Sequence, residues 1–310
     1  MEKFKCANCG TDKLLTIANY KFKNIIFKNI NIVECESCKL KQCYPMPDQN
    51  SLTRYNEKYF ELAHGAKKID KISGSFLNAI ALCRIEYVSN FVVENNITIN
   101  SVLEIGPGNG YLAENLKKKF KINIYDVVET DISLYDSLKA AGLNTFDKFE
   151  SLKKDNYDLI IASHVLEHID KPSIFLQDIK KRLSRNGIVF LEVPCLDYLF
   201  KKTHEPHLFF YEKKSLQDIL EKNFFILNKI DYYGLSIGKL ANIFFFRSFK
   251  YLITNLFLKL NLHQILLLFQ KKKKNYDFLD DYDSIMGNLF EMNSKKNHPS
   301  WWLRVIAKIK

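Results

Sequence analysis

The chain has 310 residues, enough for one ordinary domain and a smaller one, and 47% hydrophobic with 14% aromatic residues provides a sizeable core. This composition excludes a largely disordered chain. The formal net charge of +11 suits a nucleic acid, an anionic membrane surface or a phosphorylated substrate, and a surface that is simply rich in lysine explains it equally well.

Residues 1–50 contain two CxxC pairs, formed by Cys6 with Cys9 and by Cys35 with Cys38. Two such pairs separated by 25 residues are typical of a closed tetrahedral zinc site. Because four thiolates leave no coordination position open, we expect a structural zinc ion that stabilises residues 1–50 as a small module. Paired CxxC motifs also indicate a reducing compartment rather than a secreted disulfide framework.

The composition of the segment between the two CxxC pairs indicates whether this module suits nucleic-acid binding. It contains four lysines, no arginine, and three aromatic residues on which bases could stack, Tyr20, Phe22 and Phe27. Arginine is the usual bidentate partner of phosphate and guanine, so its absence weakens the case for nucleic acid. We therefore do not expect a nucleic-acid partner.

After a helical segment at 51–95, residues 96–235 alternate between short apolar runs and amphipathic stretches. This order of strand and helix predicts an α/β domain with a doubly wound, mostly parallel sheet and helices on both faces. Ligands of such sheets bind at the carboxyl ends of the strands, beside the point where strand order reverses.

The stretch VLEIGPGNGYL places an apolar strand before a loop with glycine at positions 106, 108 and 110. Glycine lets the backbone turn sharply and approach a ligand closely. The GxGxG spacing departs from the GxGxxG of dinucleotide-binding proteins, which disfavours NAD. Glu129 stands 23 residues after Gly106, at the end of the next strand, where a carboxylate can accept hydrogen bonds from both ribose hydroxyls.

Residues 75–235 resemble the class I S-adenosylmethionine-dependent methyltransferases. The resemblance is carried, in chain order, by LEIGPGNG, DVVETD, YDLIIASHVLEHIDKP and LSRNGIVFLEVP. It implies a Rossmann-like core, S-adenosylmethionine as cofactor and methyl transfer as activity. The implied cofactor-binding residues are Glu104, Gly106, Pro107, Gly108, Asn109, Gly110, Glu129, Thr130, Asp147, Ser163 and His164.

The segment HEPHLFFYEKKSLQDILEKNFF narrows the resemblance to bacterial methyltransferases that act on sugars, including sugar C-methyltransferases. Those proteins also carry a four-cysteine zinc module before the core. The implied function is methylation of a nucleotide-linked sugar or a surface glycan, on oxygen or on carbon. The sugar C-methyltransferases have a Glu-His pair in this segment, whereas here Pro206 separates Glu205 from His207.

A histidine is the expected base, because its pKa lies near neutrality. His207 is our first catalytic candidate, with His168 second and Glu205 beside them. For His168, which lies in a common LEH motif, a purely structural role is a competing interpretation. Tyr55 and Tyr59 resemble a tyrosine pair that precedes the core of the sugar enzymes and either cover the site or pack between the domains.

Residues 236–310 are aromatic and basic, and we expect a mainly helical region there. Between 240 and 310 there are 12 Lys or Arg and 5 Asp or Glu. Such helices suit packing on the core, a homodimer interface or peripheral contact with an anionic membrane. The N-terminal sequence MEKFKCANCG has no apolar signal segment, so we expect a cytoplasmic protein, either free or at the inner face of the membrane.

Two other functions remain open on the sequence alone. One is an RNA methyltransferase that holds its substrate with the zinc module and the basic C-terminal region. The other is a non-catalytic scaffold that binds the cofactor but has lost its acceptor site. The intact glycine loop, Glu129 and several histidines argue against the scaffold.

Overall fold

A computed structural model describes residues 5–65, 69–241, 252–260, 262–269 and 276–310. Within these residues, the strands are β1 (Leu14–Asn19), β2 (Asn31–Cys35), β3 (Lys41–Tyr44), β4 (Ser101–Ile105), β5 (Ile124–Val128), β6 (Asn144–Phe146), β7 (Tyr157–Ser163), β8 (Leu183–Pro194), β9 (Phe209–Phe210), β10 (Phe225–Ser236), β11 (Lys295–Lys296) and β12 (Ser300–Ile309). The helices are α1 (Gln49–Asn56), α2 (Tyr59–His64), α3 (Lys71–Glu94), α4 (Tyr111–Lys119), α5 (Tyr135–Ala140), α6 (Pro172–Arg182), α7 (Lys213–Lys222), α8 (Ile237–Ala241), α9 (His263–Phe269) and α10 (Asp281–Leu289). Residues 252–259 are also helical.

The large sheet has the strand order β11-β10-β12-β8-β7-β4-β5-β6. Strands β8, β7, β4, β5 and β6 run parallel to one another, whereas β12 pairs antiparallel with both β8 and β10. The chain builds outward from β4 to β6 and then returns to β7 on the other side of β4. This reversal confirms the predicted doubly wound core and places a ligand-binding crevice above β4 and β7.

The strands at the centre of this sheet are covered on both faces, which explains their continuous apolar sequence. All five residues of β4 are buried. Helices α3 and α4 contribute to a core on one face, and α6 and α7 contribute to a core on the other. Helix boundaries follow local chemistry: Asp70 caps α3 by accepting a hydrogen bond from the amide of Ser73, and Pro172 occupies the first turn of α6.

The small sheet has the order β1-β2-β3-β9 and is antiparallel throughout. Its first three strands come from the N-terminal 50 residues. Its fourth, β9, comes from the segment that follows β8, with Phe209 opposite Gln42 and Phe210 opposite Lys41. The N-terminal module is therefore bonded directly to the segment that carries His207.

The C-terminal region contains helices, as expected, but it also supplies a central strand that the sequence did not predict. Strand β12 inserts between β8 and β10, with Trp302 opposite Pro194. The division proposed after residue 235 is thus not a boundary of the large sheet. The expected membrane or dimer contact depends partly on residues 242–251, 261 and 270–275, which lie outside the described residues.

Helix α3 is long and apolar enough to cross a membrane by length and composition. More than half of its most apolar stretch is buried inside the protein, against α4 and α10 among other elements. A helix that packs in a protein core meets the same criteria, so this is weak evidence for a membrane span.

Candidate active site

The loop between β4 and α4 is shaped by three glycines with positive φ, Gly106 at 65°, Gly108 at 54° and Gly110 at 77°. Side chains are disfavoured in this left-handed region, so the loop requires glycine. A Cβ atom on Gly106 would also lie 2.8 Å from Cγ2 of Val165. The loop backbone thereby stays exposed to the cavity above the sheet, as a closely bound cofactor requires.

This cavity has a volume of about 1290 Å³ and runs along the carboxyl ends of the central strands. It brings together ten of the eleven predicted cofactor-binding residues: Glu104, Gly106, Pro107, Gly108, Asn109, Glu129, Thr130, Asp147, Ser163 and His164. The eleventh, Gly110, instead precedes the first residue of α4. We call these ten residues the cofactor cradle, and their individual roles stay predictions.

Two buried carboxylates mark the cofactor end of the cavity. Glu129 directly follows β5, and its Oε1 accepts a hydrogen bond of 2.9 Å from the amide of Asp131. Burial raises the pKa of Glu129, and burial raises that of Glu104 to about 7, although a hydrogen bond from the Tyr125 hydroxyl opposes it. Asp147 is exposed instead, and the hydroxyl of Ser151 lowers its pKa.

His164 lies between two buried glutamates. Its Nδ1 is 3.3 Å from Oε1 of Glu167, and its Nε2 is 3.3 Å from Oε1 of Glu192. Burial lowers the pKa of His164, but these two carboxylates outweigh burial and raise it. The backbone of His164 has a φ of 57°, and its amide donates a hydrogen bond of 2.8 Å to the carbonyl of Glu192 in β8.

Glu192 also binds two arginines that sequence analysis did not identify as site residues. Oε1 accepts from Arg84 at 2.8 and 2.6 Å, and Oε2 accepts from Arg304 at 2.6 Å. Burial opposes ionisation of Glu192, but the two guanidinium groups hold its pKa well below the usual value. Arg84 lines the cavity, so this network connects β12 and α3 to the cofactor cradle.

His207 is buried and belongs to a three-residue cluster. Its Nδ1 lies 2.8 Å from Oδ2 of Asp197, and its Nε2 lies 3.2 Å from Nζ of Lys201. Lys201 also lies 3.0 Å from the same Asp197 oxygen. Burial raises the pKa of Asp197, but His207 and Lys201 outweigh it and lower that pKa far below the usual range. Asp197 is therefore ionised beside the histidine.

The hydrogen-bonding capacity of lysine defines the tautomer of His207. An ammonium group can only donate, so Nε2 of His207 acts as an acceptor toward Lys201. The ring proton of a neutral imidazole then lies on Nδ1, which is 2.8 Å from Oδ2 of Asp197, although the angles do not make this contact a regular hydrogen bond. A carboxylate beside an imidazole whose Nε2 can accept a proton is a combination that general bases use.

His168 lies beside this cluster, with its ring centroid 4.8 Å from that of His207 and 5.7 Å from that of Tyr59. Burial, together with the charge of Lys201, lowers the pKa of His168 to about 3, although Glu167 opposes this. One atom from each of Glu167, His168 and His207 lies within 4.8 Å of the others, so the three could approach a metal ion. Lys201 already supplies a positive charge there.

Glu205 has different partners from the other two catalytic candidates. Its Oε2 accepts hydrogen bonds from the amides of Lys23 and Asn24 at 3.0 and 2.9 Å. The neighbouring His204 accepts from the amide of Lys21 through Nδ1. Glu205 borders a smaller recess of about 300 Å³ beside His207 instead of the main cavity. Its contacts attach the module to the active-site segment, and its catalytic role stays a prediction.

The two tyrosines singled out in the sequence take different positions. Tyr55 is buried and packs edge-on against Phe27 of the module, with ring centroids 5.5 Å apart. Tyr59 lines the main cavity and packs against His168. Tyr55 therefore packs between the module and the rest of the chain, whereas Tyr59 lines the site.

The four cysteine sulfurs of the module lie within 4.8 Å of one another. Sγ of Cys6 is 3.5 Å from that of Cys38, and Sγ of Cys9 is 3.5 Å from that of Cys35. The sulfurs of a tetrahedral zinc site lie about 3.8 Å apart, given a Zn–S bond of about 2.3 Å. This cluster therefore fits zinc in both ligand type and spacing.

Sequence analysis missed Asp197, Lys201, Glu167, Arg84, Glu192 and Arg304. A partial signal exists for Asp197 and Lys201, which stand four residues apart directly after β8, at the edge of the sheet where ligands bind. Glu167 sits inside the quoted LEH motif, where only the histidine was considered. Arg84 and Arg304 are more than 100 residues from Glu192 along the chain, and no local pattern connects them.

Comparison with known proteins agrees with this arrangement. A family described as "Methyltransferase domain" matches residues 69–225, which include the glycine loop, Glu129, His168 and His207. Two curated relatives are ubiquinone biosynthesis O-methyltransferases, from Rickettsia bellii at 27% identity and from Rickettsia typhi at 29% identity. Each alignment covers 144 residues and 40% of this chain, and spans 59% and 58% of the relative, respectively.

Among solved structures, a methyltransferase from Thermotoga maritima, described as a possible histamine N-methyltransferase, has a TM-score of 0.49 and 13% identity. That alignment covers 84% of this chain and all of the other.

Proposed function

The chain belongs to the methyltransferase-domain family and is an S-adenosylmethionine-dependent methyltransferase, and we propose that it methylates a sugar, with His207 as the base. The observation that carries this proposal is the contact between Asp197 and His207 at a cavity shared with the cofactor cradle. The bound cofactor would supply a methyl group activated by its sulfonium sulfur. The protein must then align the acceptor, exclude water and remove one proton.

The residues of the cradle fit this cofactor. Glu129 presents a buried carboxylate at the end of β5, where it can accept both ribose hydroxyls. The glycine loop leaves backbone exposed to a ligand, and Glu104 and Arg84 line the same cavity, where they offer an acceptor and donors to the amino and carboxyl groups of a methionine chain. Ser163 and His164 complete this side of the cavity.

His207 removes the acceptor proton in our proposal. Nε2 takes the proton from the acceptor hydroxyl, or from a carbon beside a carbonyl group, as the methyl group is transferred. Asp197 stabilises the resulting imidazolium through Nδ1. Lys201, which now contacts Nε2 and is one-third exposed, moves aside when the acceptor enters.

A sugar fits the recess beside His207, which is bordered by Lys201, Lys202, Thr203 and Glu205. These side chains offer donors and acceptors for several hydroxyl groups. A second candidate is O-methylation of a ubiquinone precursor, supported by the names of the curated relatives and by aromatic residues along the main cavity.

Methyl transfer from isotopically labelled S-adenosylmethionine tests the proposal. The acceptor panel contains nucleotide-linked sugars, simple glycosides and hydroxylated aromatic compounds, with products identified by mass spectrometry. We expect label in a sugar. Label confined to the aromatic compounds would reject the sugar in favour of the second candidate.

We also propose that Cys6, Cys9, Cys35 and Cys38 bind one structural zinc ion, supported by the spacing of their sulfurs. None of the seven cysteines forms a disulfide. We propose a cytoplasmic location for the protein, because paired CxxC motifs are typical of metal sites in a reducing compartment.

A further inference from the structure

The main cavity is larger than the cofactor requires. Pockets for single small ligands enclose about 300–1,000 Å³, whereas this cavity encloses about 1290 Å³. Beyond the cofactor cradle, it extends into an apolar recess formed by Phe76, Ile80, Met286, Phe290, Trp301 and Trp302. These residues come from α3, from β12, and from α10 with the residue that follows it.

The recess has aromatic walls in an ordered arrangement. The ring of Phe76 lies edge-on to Phe290, with centroids 5.0 Å apart, and Phe290 lies 5.5 Å from Trp301. Trp301 stacks on Trp302 at 4.5 Å with an interplanar angle of 7°. Flat apolar or aromatic groups pack well against such walls.

Charge is compensated at the border of the recess. Arg84 lies there, but its guanidinium group donates twice to the buried carboxylate of Glu192. Arg304 binds the other oxygen of the same carboxylate. The recess therefore does not attract an ionic ligand strongly, whereas the Lys201 side of the cavity does present an ammonium group.

The recess and the proposed base belong to one cavity, because Phe76, Trp301 and His207 all line it. The carbonyl of Trp301 accepts a hydrogen bond of 3.0 Å from the amide of Cys195, two residues before Asp197. Phe200, directly before Lys201, packs against the same apolar cluster as Phe290 and Trp302. One ligand can therefore contact both the recess and the surroundings of His207.

We infer that the acceptor is amphipathic, a sugar linked to an apolar or aryl group that occupies the recess of Phe76 and Trp301 while a sugar hydroxyl faces His207. This inference rests on the proposed function and specifies its substrate class. A free sugar or a sugar with a small aglycone leaves the recess unfilled and loses the corresponding hydrophobic free energy.

Intrinsic fluorescence provides a direct test, because both tryptophans of the chain lie in the recess. The full-length protein is saturated with S-adenosylhomocysteine and titrated with methyl, hexyl and phenyl β-glucosides. We expect the hexyl and phenyl compounds to change the tryptophan emission and to bind at least about tenfold more tightly than the methyl compound. A Trp302→Phe variant isolates the signal of Trp301.

Phe76→Ala should lower the affinity for the phenyl glucoside more than that for the methyl glucoside. The affinity for S-adenosylhomocysteine should stay unchanged. Val93→Ala, on the same helix but exposed to solvent, is the matched control and should change neither. Equal affinity for all three glucosides, in a protein that binds S-adenosylhomocysteine normally, would overturn the inference. Tighter binding of the hexyl and phenyl glucosides, with no sugar methylated in the labelling assay, would instead reject the proposed sugar chemistry. The apolar binding site would then still be established.

Discussion

Nζ of Lys201 lies 3.2 Å from Nε2 of His207 and 3.0 Å from Oδ2 of Asp197, so the ammonium group contacts both the imidazole and the carboxylate. In the proposed mechanism, the acceptor hydroxyl must reach the same nitrogen, Nε2, to give up its proton. Binding of the acceptor and displacement of Lys201 are therefore coupled events in the proposed mechanism.

Loss of the base should abolish most of the activity. We expect His207→Asn and Asp197→Asn to lower kcat by about 10²–10⁴-fold, because the first removes the base and the second removes the group that orients it. Affinity for S-adenosylhomocysteine, measured by calorimetry, should remain within about twofold, since neither change touches the cradle. Equal activity in the wild type and the His207 variant would exclude this base.

Glu129 and Asp147 should contribute unequally to cofactor affinity. Glu129 is buried at the end of β5, and Asp147 is exposed. Glu129→Ala should weaken cofactor binding by about 10–100-fold, as expected for lost hydrogen bonds to a charged group. Asp147→Ala serves as the matched comparison and should weaken binding by a smaller factor in the same titration. A larger effect at Asp147 would contradict our assignment of the ribose site.

Glu205 can be tested for the two roles that remain in question. If it mainly attaches the module, Glu205→Gln should lower the free energy of unfolding by about 1–3 kcal/mol, because two amides lose a charged acceptor. Its kcat should then stay close to that of the wild type. A drop in kcat of about 100-fold or more, with unchanged stability in urea, would establish the predicted catalytic role instead.

The purified protein should contain one zinc ion per chain, as measured by plasma mass spectrometry. Cys35→Ser should release it and expose the module to proteolysis, because the free energy of metal binding stabilises the small domain. A stoichiometry of two, with one ion retained in the Cys35 variant and lost on His168→Ala, would show that Glu167, His168 and His207 bind a metal as well.

Glu104 should make stability depend on pH in a defined window. Its pKa is raised to about 7, mainly by burial, from 4.5. The folded state therefore binds more protons than the unfolded state between these values, so the free energy of unfolding decreases as pH rises from about 4.5 to 7. Glu104→Gln cannot titrate and should flatten this slope in urea denaturation at pH 5, 6 and 7. If the slope does not change in this variant, other groups cause the pH dependence of the free energy of unfolding.

Features with a local sequence signature were predictable, and features built from distant contacts were not. The glycine loop and Glu129 follow strands at fixed spacing, so one motif locates them. The partners of Glu192 are brought to it by α3 and β12, and their identity depends on tertiary packing alone. Strand β12 was missed for a related reason: its apolar run gains strand character from pairing with β8 and β10.

The position of β12 has a consequence for how the protein is made. Residues 300–309 lie between β8 and β10, and Arg304 from this strand neutralises the buried Glu192. During synthesis, β8 and β10 therefore emerge well before the strand that joins them. A nascent chain lacking β12 would hold a sheet with two unpaired edges, and Glu192 would keep only Arg84 as an arginine partner; chains with such unpaired edges are prone to aggregation. The large sheet is therefore completed only when residues 300–309 have been made.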